Sequence, residues 1–111
     1  MLRLFVYGTL APGRPNHHVL AGISGTWEPA VLRGCLYDEG WGAALGSPGI
    51  VPSPDGERIA GYLLSAPSLD QHWDMLDAFE GEGYERLRVS VRVAGDRELD
   101  AFVYALRVRN D

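Results

Sequence analysis

The strict alternation of residues 84–93, YERLRVSVRV, constrains the fold of this 111-residue chain more than any other feature. Leucine or valine occupies every second position from 87 to 93, and arginine or serine occupies the positions between them. A period of two is that of a β-strand with one face on a core and the other in solvent. Gly95 and Asp96 then supply a turn, and residues 98–108, ELDAFVYALRV, return as a partner strand. The pattern therefore predicts an antiparallel hairpin near the end of the chain.

Three earlier segments of the chain also have the composition of β-strands. Residues 2–7, LRLFVY, are rich in aliphatic and aromatic side chains, and residues 59–65, IAGYLLS, predict another short strand. Two further strand-like pieces lie between Gly25 and Tyr37. Residues 40–57 hold five glycines and three prolines, so most of this segment is predicted to be loop. The loop either covers a pocket or merely connects strands.

One main helix is predicted, beginning at Ser68 and ending near Phe79. Ser68, followed three residues later by Gln71, has the pattern of a capping box, which begins helices. Residues 16–22, NHHVLAG, predict a short helix capped by Asn16. Several strands with one main helix favour the α+β class, with a small mixed or antiparallel sheet that closes toward a β-barrel.

Composition and charge narrow the classes of function. The chain has a net charge of −5 and a pI near 5.1, which argues against nucleic acid or an anionic membrane as its main partner. All ten basic residues are arginine, which excludes a Schiff-base or P-loop lysine. No run of residues reaches the roughly 20 apolar positions of a membrane span, and the N-terminus has no signal-peptide pattern. We therefore expect a cytoplasmic protein with a single domain over residues 1–111.

The predicted helix ends in a concentration of acidic residues. Residues 76–85, LDAFEGEGYE, contain four carboxylates near the end of the helix, where the helix dipole already places partial negative charge. Glu80 falls on the apolar stripe of a helical wheel, together with Leu69, Trp73 and Leu76. A carboxyl group on a buried stripe is expected to have a raised pKa, so that it accepts and donates protons near neutrality. The alternative is a helix that ends at Phe79 and leaves Glu80 in solvent, and the wheel alone does not separate the two.

A glycine-containing stretch, VYGTLAPGRPN at residues 6–16, follows the first predicted strand. Glycine and small residues directly after a strand can leave backbone N–H groups pointing at the oxygens of a ligand. The stretch lacks the GK[ST] of an NTPase P-loop, so a phosphate cradle of that kind is not expected. The alternative is a plain turn that leads into the short helix.

These stretches together resemble the gamma-glutamylcyclotransferase-like (AIG2-like) family. The resemblance rests on VYGTL near the N-terminus, on the pattern G-x-P-N from Gly13 to Asn16, and on LDAFEGEGYERLRV after the middle of the chain. GCLYD at residues 34–38 and the strand IAGYLL also look like the family, so the resemblance covers nearly the whole chain. It implies a compact sheet or barrel with one main helix, and release of 5-oxoproline from gamma-glutamyl compounds without metal or cofactor.

The resemblance also implies roles for individual residues. Glu80, in its F-E-G context, matches the acid/base glutamate of the family. The residues implied to bind the substrate are Tyr7, Gly8, Thr9, Leu10 and Tyr84, the first four through their backbone amides. Threonine replaces the commoner serine in the Y-G-[ST]-L loop, a change that leaves a backbone contact intact. The chain ends soon after its last predicted strand, without the C-terminal extension of longer members, which leaves the closure of the pocket open.

The partner implied by the resemblance is a small gamma-glutamyl compound, bound by a monomer or a homodimer. A non-catalytic module that binds a small gamma-glutamyl-like ligand is the alternative from another functional class. A third interpretation is a different acyl transfer or deprotection reaction in the same pocket. The sequence does not specify which group is attached to the gamma-glutamyl unit, and it does not fix the oligomeric state.

Three other residues with reactive side chains have simpler explanations. Cys35 is the only cysteine, lies in an apolar predicted strand, and is predicted to be a core residue. His17 and His18 are adjacent, so in a helix their side chains point about 100° apart and make poor joint metal ligands. We therefore expect no metal site.

Aromatic and basic residues near the predicted helix are also assigned structural roles. Phe79 is predicted to anchor the core. Arg86, Arg88 and Arg92 form the polar face of the alternating strand, for which solvent exposure is the default and contact with a substrate or partner is the alternative. Tyr62 and Tyr104 either line a pocket or are buried tyrosines of the sheet, and the sequence leaves both interpretations open.

Overall fold

The computed structural model describes residues 2–7, 13, 17–37 and 49–107. Its helices and strands, in chain order, are β1 (Arg3–Val6), α1 (His18–Ala21), β2 (Thr26–Tyr37), β3 (Gly49–Pro52), β4 (Glu57–Ser65), α2 (Trp73–Glu80), β5 (Tyr84–Val93) and β6 (Arg97–Leu106). Two short 3-10 turns, Leu69–Gln71 and Ala94–Asp96, precede α2 and connect β5 to β6. Within these described ranges, no helix has the length and apolar character needed to cross a lipid bilayer.

The strands form one sheet in the order β3-β2-β4-β1-β6-β5. β2 also pairs with β5, at Val31 opposite Arg92, so β2, β4, β1, β6 and β5 close into a five-stranded barrel. β3 extends the edge of β2. β1 and β6 run parallel, and the other paired strands run antiparallel. The predicted α+β class, with a mixed sheet that closes toward a barrel and one main helix, is confirmed.

β5 and β6 form the hairpin that the alternating pattern predicts, and they are paired along their whole length. The chain reverses through Gly95 and Asp96, which have positive φ values of 79° and 57°. Glycine adopts this conformation without strain, and aspartate tolerates it better than most residues. Val91 and Val93 are buried while Arg92 between them is exposed, as the period of two predicts.

Two hydrophobic clusters hold the fold together, and β1 contributes to both because its successive side chains point to opposite faces. Phe5 lies in the cluster inside the barrel, whose fully buried members also include Leu63 and Val103. Leu4 and Val6 lie in the second cluster, where the helices cover the barrel wall. The buried members from the helices and the turn before α2 are Leu20, Leu69 and Leu76. The first strand is therefore covered on both faces.

The main helix begins later than the capping-box pattern predicts and ends at Glu80, next to the predicted end near Phe79. Ser68 makes no side-chain capping bond. The N–H of Gln71, which a capping box would use, instead donates to the backbone oxygen of Ser68 at 3.0 Å in a 3-10 turn. His72 then caps this turn, with a φ of −113° and a ψ of −4°, and α2 begins only at Trp73.

The glycine- and proline-rich segment 40–57 contains a strand that its composition concealed. β3 pairs with residues 34–37 of β2. Pro52 is the last residue of β3, which within the described ranges pairs with β2 alone, and strand ends on sheet edges tolerate the missing N–H of proline. Residues 38–48 lie outside the described residues, so whether this segment covers a pocket stays an open prediction. Asn16, the predicted cap of the short helix, also lies outside them, and α1 follows His17.

Two residues predicted to be buried are exposed. Cys35 follows the buried Gly34 in β2 and therefore points to the outer face of the sheet. Phe79 is 42% exposed, and Met75, one turn earlier in α2, is 43% exposed. Residues four apart share a helix face, so these two side chains mark the face of α2 that does not contact the barrel.

Gly61 in β4 lies where β1 approaches most closely, and we expect Gly61→Ala to destabilise the protein. A Cβ at this position would overlap the carbonyl oxygen of Val6 and lie 2.7 Å from Cζ of Phe5. Overpacking of this kind lowers the free energy of unfolding by about 1–3 kcal/mol, which urea unfolding measures. Gly22→Ala is the matched control, because nothing lies within 4 Å of the added carbon and φ is −82°. Equal stability of the two variants would contradict the close approach at Gly61.

Candidate active site

Glu80 is the last residue of α2, and the turn that follows it holds its position. The chain leaves the helix at Gly81, whose φ of 85° favours glycine. The N–H of Gly81 donates to the backbone oxygen of Asp77 at 3.0 Å. Leu76, one turn earlier, is fully buried, and Glu80 itself is partly buried. Glu80 therefore belongs to the helix and lies on the side that packs against the barrel.

Burial raises the pKa of the Glu80 carboxyl to about 7, from an ordinary value of 4.5. The cause is loss of hydration, which disfavours the charged form of a carboxyl group. The direction is the one predicted from the helical wheel. A carboxyl group with a pKa near neutrality can accept a proton from one atom and donate it to another within a single catalytic cycle.

Tyr7 directly follows β1, and its hydroxyl is fixed between two strands. The hydroxyl donates to the backbone oxygen of Tyr104 in β6 at 2.7 Å and accepts the N–H of Ile50 in β3 at 3.2 Å. Burial raises the pKa of Tyr7, the hydrogen bond from Ile50 opposes this rise, and the charges of Glu80 and Tyr84 add to it. Tyr7 therefore lies within electrostatic range of both Glu80 and Tyr84.

The structure brings half of the predicted site residues into one region. Glu80 and Tyr7 are coupled electrostatically, and Tyr84, the first residue of β5, is buried and interacts with Tyr7. The other predicted residues, Gly8, Thr9 and Leu10, lie outside the described residues, and their role in binding stays a prediction. In the described part of the chain, no group of three or more His, Cys, Asp or Glu side chains is placed to hold a metal ion.

Tyr104 is a residue of this region for which sequence reasoning left two interpretations. It is buried in β6, and its hydroxyl donates to Oδ1 of Asp77 at 2.6 Å. Burial raises the pKa of Tyr104, and the hydrogen bond and the negative charges of Asp77 and Glu80 raise it further, while the charge of Arg86 lowers it. The one sequence signal for this contact is the position of Asp77 at the border of the apolar stripe.

Arg86 does not lie on a solvent-exposed face, contrary to the sequence prediction. Its guanidinium carbon lies 4.3 Å from the ring centroid of Trp73 and 5.7 Å from that of Phe102. Its Nη1 lies 3.7 Å from Oδ1 of Asp77. The start of β5 contacts α2, so a side chain there is covered by the helix, whereas Arg92 at the far end of the same strand is exposed.

A cleft of about 510 Å³ opens beside the end of α2. Its lining comes from α2, the turn that follows it, β5 and the end of β6, and includes Asp77, Gly81, Tyr84, Arg86, Tyr104 and Arg107. A second groove of about 490 Å³ lies at the seam between β2 and β5, and none of the predicted site residues lines it. Of these two, the cleft beside α2 is the one lined by a predicted site residue, Tyr84, while Glu80 and Tyr7 are not among its lining residues.

The raised pKa of Glu80 predicts how the stability of the protein depends on pH. Because the folded-state pKa of about 7 lies above 4.5, the stability that Glu80 contributes is fully present below about pH 4.5 and is lost as pH rises through about 7. Wild type should lose about 2 kcal/mol of unfolding free energy through Glu80 between about pH 5.5 and about pH 8. Glu80→Gln, which is neutral at every pH, should not show this loss.

Urea unfolding of both proteins at the two pH values measures this difference. Glu82→Gln is the matched control, because Glu82 is an exposed carboxylate two residues further along the chain. If Glu80→Gln follows the same pH dependence as wild type and Glu82→Gln, the Glu80 carboxyl is not hard to ionise.

Comparisons with known proteins identify the family of the chain and solved structures that share its fold. A family model described as gamma-glutamyl cyclotransferase, AIG2-like, matches residues 4–111. No curated protein matches the chain significantly. The fold is similar to the crystal structure of YkqA from Bacillus subtilis, with 33% identity, a TM-score of 0.71, and coverage of 95% of this chain and 35% of that one.

Two further solved structures are similar over most of this chain. An AIG2-like protein from Mus musculus has 27% identity and a TM-score of 0.75, with coverage of 99% of this chain and 80% of that one. The At3g28950.1 protein from Arabidopsis thaliana has 27% identity and a TM-score of 0.72, with coverage of 95% of this chain and 61% of that one. The chain thus spans about a third of YkqA and most of the mouse protein.

Proposed function

The chain belongs to the family of AIG2-like gamma-glutamyl cyclotransferases, and from this premise we propose that it releases 5-oxoproline and a free amine from a small gamma-glutamyl compound. The observation that carries the proposal is the partly buried Glu80 carboxyl at the end of α2, whose pKa burial raises to about 7. A protein that only binds a ligand gains little from burying an acid that costs free energy to ionise.

The proposed reaction is an intramolecular transfer. The α-amine of the gamma-glutamyl unit attacks its own γ-carbonyl carbon, a carbon–nitrogen bond forms, and a five-membered lactam closes. The bond between that carbon and the departing amine then breaks. Because nucleophile and electrophile belong to one molecule, the protein supplies no nucleophile of its own, and what it adds is a folded pose of the substrate.

Proton transfer is the part of this reaction that needs Glu80. The α-ammonium has a pKa of about 8 in reference peptides, and it loses two protons as it becomes the lactam nitrogen. The departing amide nitrogen gains two protons and leaves as an ammonium. Glu80 relays them: as a carboxylate it takes a proton from the attacking nitrogen, and as a carboxylic acid it gives a proton to the departing one. The enzyme returns to its initial state without an oxidant, a reductant or water.

In this proposal the residues around Glu80 bind the substrate. In this proposal the backbone amides of the loop from Tyr7 to Leu10 donate to the γ-carbonyl oxygen as it becomes an oxyanion, and Tyr84 contacts the substrate. The support for this role is the resemblance of the loop to the family, together with the anchored Tyr7 hydroxyl that begins it. Cytoplasmic location, a single domain over residues 1–111, and a monomeric or homodimeric state stay predictions.

A panel of gamma-glutamyl compounds tests the proposal. Wild-type protein is incubated with gamma-glutamyl dipeptides, gamma-glutamyl amines, a gamma-glutamyl-lysine isopeptide and glutathione, and 5-oxoproline and the free amine are measured by mass spectrometry. Equimolar release of both products from at least one compound is expected, and the preferred compound defines the substrate class. Binding of these compounds by calorimetry without release would favour the non-catalytic module instead.

A further inference from the structure

We propose that Asp77 and Tyr104 are positioning residues for Glu80: their hydrogen bond holds the last turn of α2 against β6 and thereby fixes the Glu80 carboxyl beside Tyr7. This inference rests on the proposed function for its consequences in catalysis. It assigns roles to two residues that the family resemblance does not single out.

The bond between the two side chains is short and charge-assisted. The Tyr104 hydroxyl donates to Oδ1 of Asp77 with an oxygen–oxygen distance of 2.6 Å. Hydrogen bonds to a carboxylate are stronger than those between neutral groups. Tyr104 is only 4% exposed, so its ring cannot move without disturbing the core. Asp77 is therefore tied to a rigid point of the barrel.

Arg86 holds Asp77 from a second direction. Its guanidinium is fixed by the ring of Trp73, 4.3 Å away, and its Nη1 faces Oδ1 of Asp77 at 3.7 Å. Among the described residues, this buried Nη1 has no hydrogen-bond partner, so Asp77 is the group that compensates its charge. The carboxylate of Asp77 thus lies between β5 and β6, and both strands fix the end of the helix.

Asp77 transmits this constraint to Glu80 through the helix itself. The two residues are three apart, on adjacent positions of the helix surface. The backbone oxygen of Asp77 accepts the N–H of Gly81, so the peptide groups on both sides of Glu80 belong to one closed turn. A rotation of the Asp77 side of this turn would therefore rotate Glu80 as well.

Tyr104 also holds the other side of the site. Its backbone oxygen accepts the hydroxyl of Tyr7 at 2.7 Å, so one residue of β6 contacts both the segment that bears Glu80 and the segment that begins the predicted substrate loop. The charges of Glu80 act on both tyrosine hydroxyls. Tyr104 therefore links the last turn of α2, which bears Glu80, to Tyr7.

The ionisable groups that face this region come from every element packed around it. They are Asp77 on α2 itself, Glu82 in the turn after it, Tyr7 after β1, Tyr84, Glu85 and Arg86 on β5, Tyr104 on β6 and Arg107 after it. Loss of the Tyr104 hydroxyl removes no charge from this set. A change in the titration of Glu80 in Tyr104→Phe would therefore report a change in its burial rather than the loss of a charged neighbour.

The experiment compares wild type with Tyr104→Phe, Asp77→Ala and the double variant. Tyr62→Phe and Asp74→Ala are the matched controls, because Tyr62 is an exposed tyrosine of β4 and Asp74 an exposed residue of α2. Thermal unfolding first establishes that each variant is folded. Two readouts follow: kcat and KM for 5-oxoproline release, and the pH titration of the Glu80 side-chain carboxyl carbon by ¹³C NMR.

We expect each single variant to lower kcat by about 10- to 100-fold with little change in KM, because a displaced acid affects the chemical step. The double variant should be no slower than the slower single variant, since both remove one interaction. The titration midpoint of Glu80 should fall from about 7 toward 4.5 in the variants and stay unchanged in the controls. Wild-type kcat together with a wild-type midpoint in Tyr104→Phe and Asp77→Ala would overturn the inference.

The two readouts separate this inference from the proposed function. If wild type releases no 5-oxoproline, the proposed function fails, and the NMR titration alone decides whether Asp77 and Tyr104 hold Glu80 in place. If wild type is active and loses activity in Glu80→Gln, but both positioning variants keep wild-type activity and a wild-type Glu80 midpoint, the proposed function stands and the inference fails. Should Tyr104→Phe not fold, Asp77→Ala replaces it, because Asp77 is on the surface of α2.

Discussion

Glu80→Gln is expected to lower kcat for 5-oxoproline release by about 10²- to 10⁴-fold, the usual range for loss of a general acid/base. Glutamine has the same size and keeps a hydrogen-bonding side chain, but it can neither take the proton of the attacking amine nor return one to the departing amine. The substrate-binding groups are unchanged, so KM should change far less than kcat. Steady-state kinetics with the preferred gamma-glutamyl compound measures both parameters.

The control for this prediction is Glu82→Gln. Glu82 follows Gly81 and is exposed, so its removal takes away a nearby negative charge without removing the buried acid. We expect kcat of Glu82→Gln to stay within about threefold of wild type, since an exposed charge is screened by solvent. Equal kcat values for wild type and Glu80→Gln would mean that another group carries the proton.

Leu76→Ala is expected to lower the free energy of unfolding by about 4 kcal/mol, the second large effect. Leu76 is the buried residue of α2 and belongs to the cluster in which the helices cover β1. Truncation removes buried apolar surface and leaves a cavity that the closed barrel cannot collapse to fill. Urea unfolding should therefore show a clear decrease in the urea concentration at the midpoint of the transition. The same contact attaches the helix that bears Glu80 to the barrel.

Met75→Ala is the matched control for this core contact. Met75 is the preceding residue of the same helix, has a similar volume, and is 43% exposed. Its truncation should change the free energy of unfolding by about 0.5 kcal/mol or less. A loss of similar size in both variants would contradict the packing of α2 through Leu76, since it would then reflect helix propensity or a general effect of truncation.

The strands β1 and β4 follow from composition, and the hairpin of β5 and β6, which has a regular period, is the part of the fold that the sequence predicts in most detail. The hairpin of β5 and β6 follows from strict alternation, because a one-residue error in such a strand would move every valine to the wrong face. The short strand β3 could not be predicted, because a four-residue strand that begins at Gly49 and ends at Pro52 has no period to detect. Its partner strand, not its composition, stabilises it.

The site was predictable where a single helix determines it and unpredictable where strands meet. The position of Glu80 on the packed side of α2 follows from helical geometry, although the 3-10 turn before α2 means that Leu69 is not on the same regular helix. The contacts of Tyr104 with Asp77 and Tyr7 join residues far apart in the chain. They depend on how the barrel closes, and no local pattern encodes that.

The two errors in predicted burial, at Arg86 and at Cys35, both concern which face of a strand is covered. Alternation alone predicts that Arg86 faces solvent, but the neighbouring helix covers the start of its strand and provides Trp73 as a stacking partner. The apolar character of its strand predicts that Cys35 is in the core, yet it points to the outer face of β2. Alternation determines the face of a sheet, whereas packing between elements decides whether that face is covered.

The measurement that most directly tests the assignment of Glu80 as the acid/base is the pH dependence of kcat/KM for 5-oxoproline release by wild type. A base must be ionised to accept a proton, so kcat/KM should rise with pH through an apparent pKa of about 7. Deprotonation of the α-ammonium group of the substrate produces a separate limb of the pH profile at about pH 8. A profile with only that limb, or a limb near the ordinary glutamate value of 4.5, would contradict a buried Glu80 acting as the proton carrier.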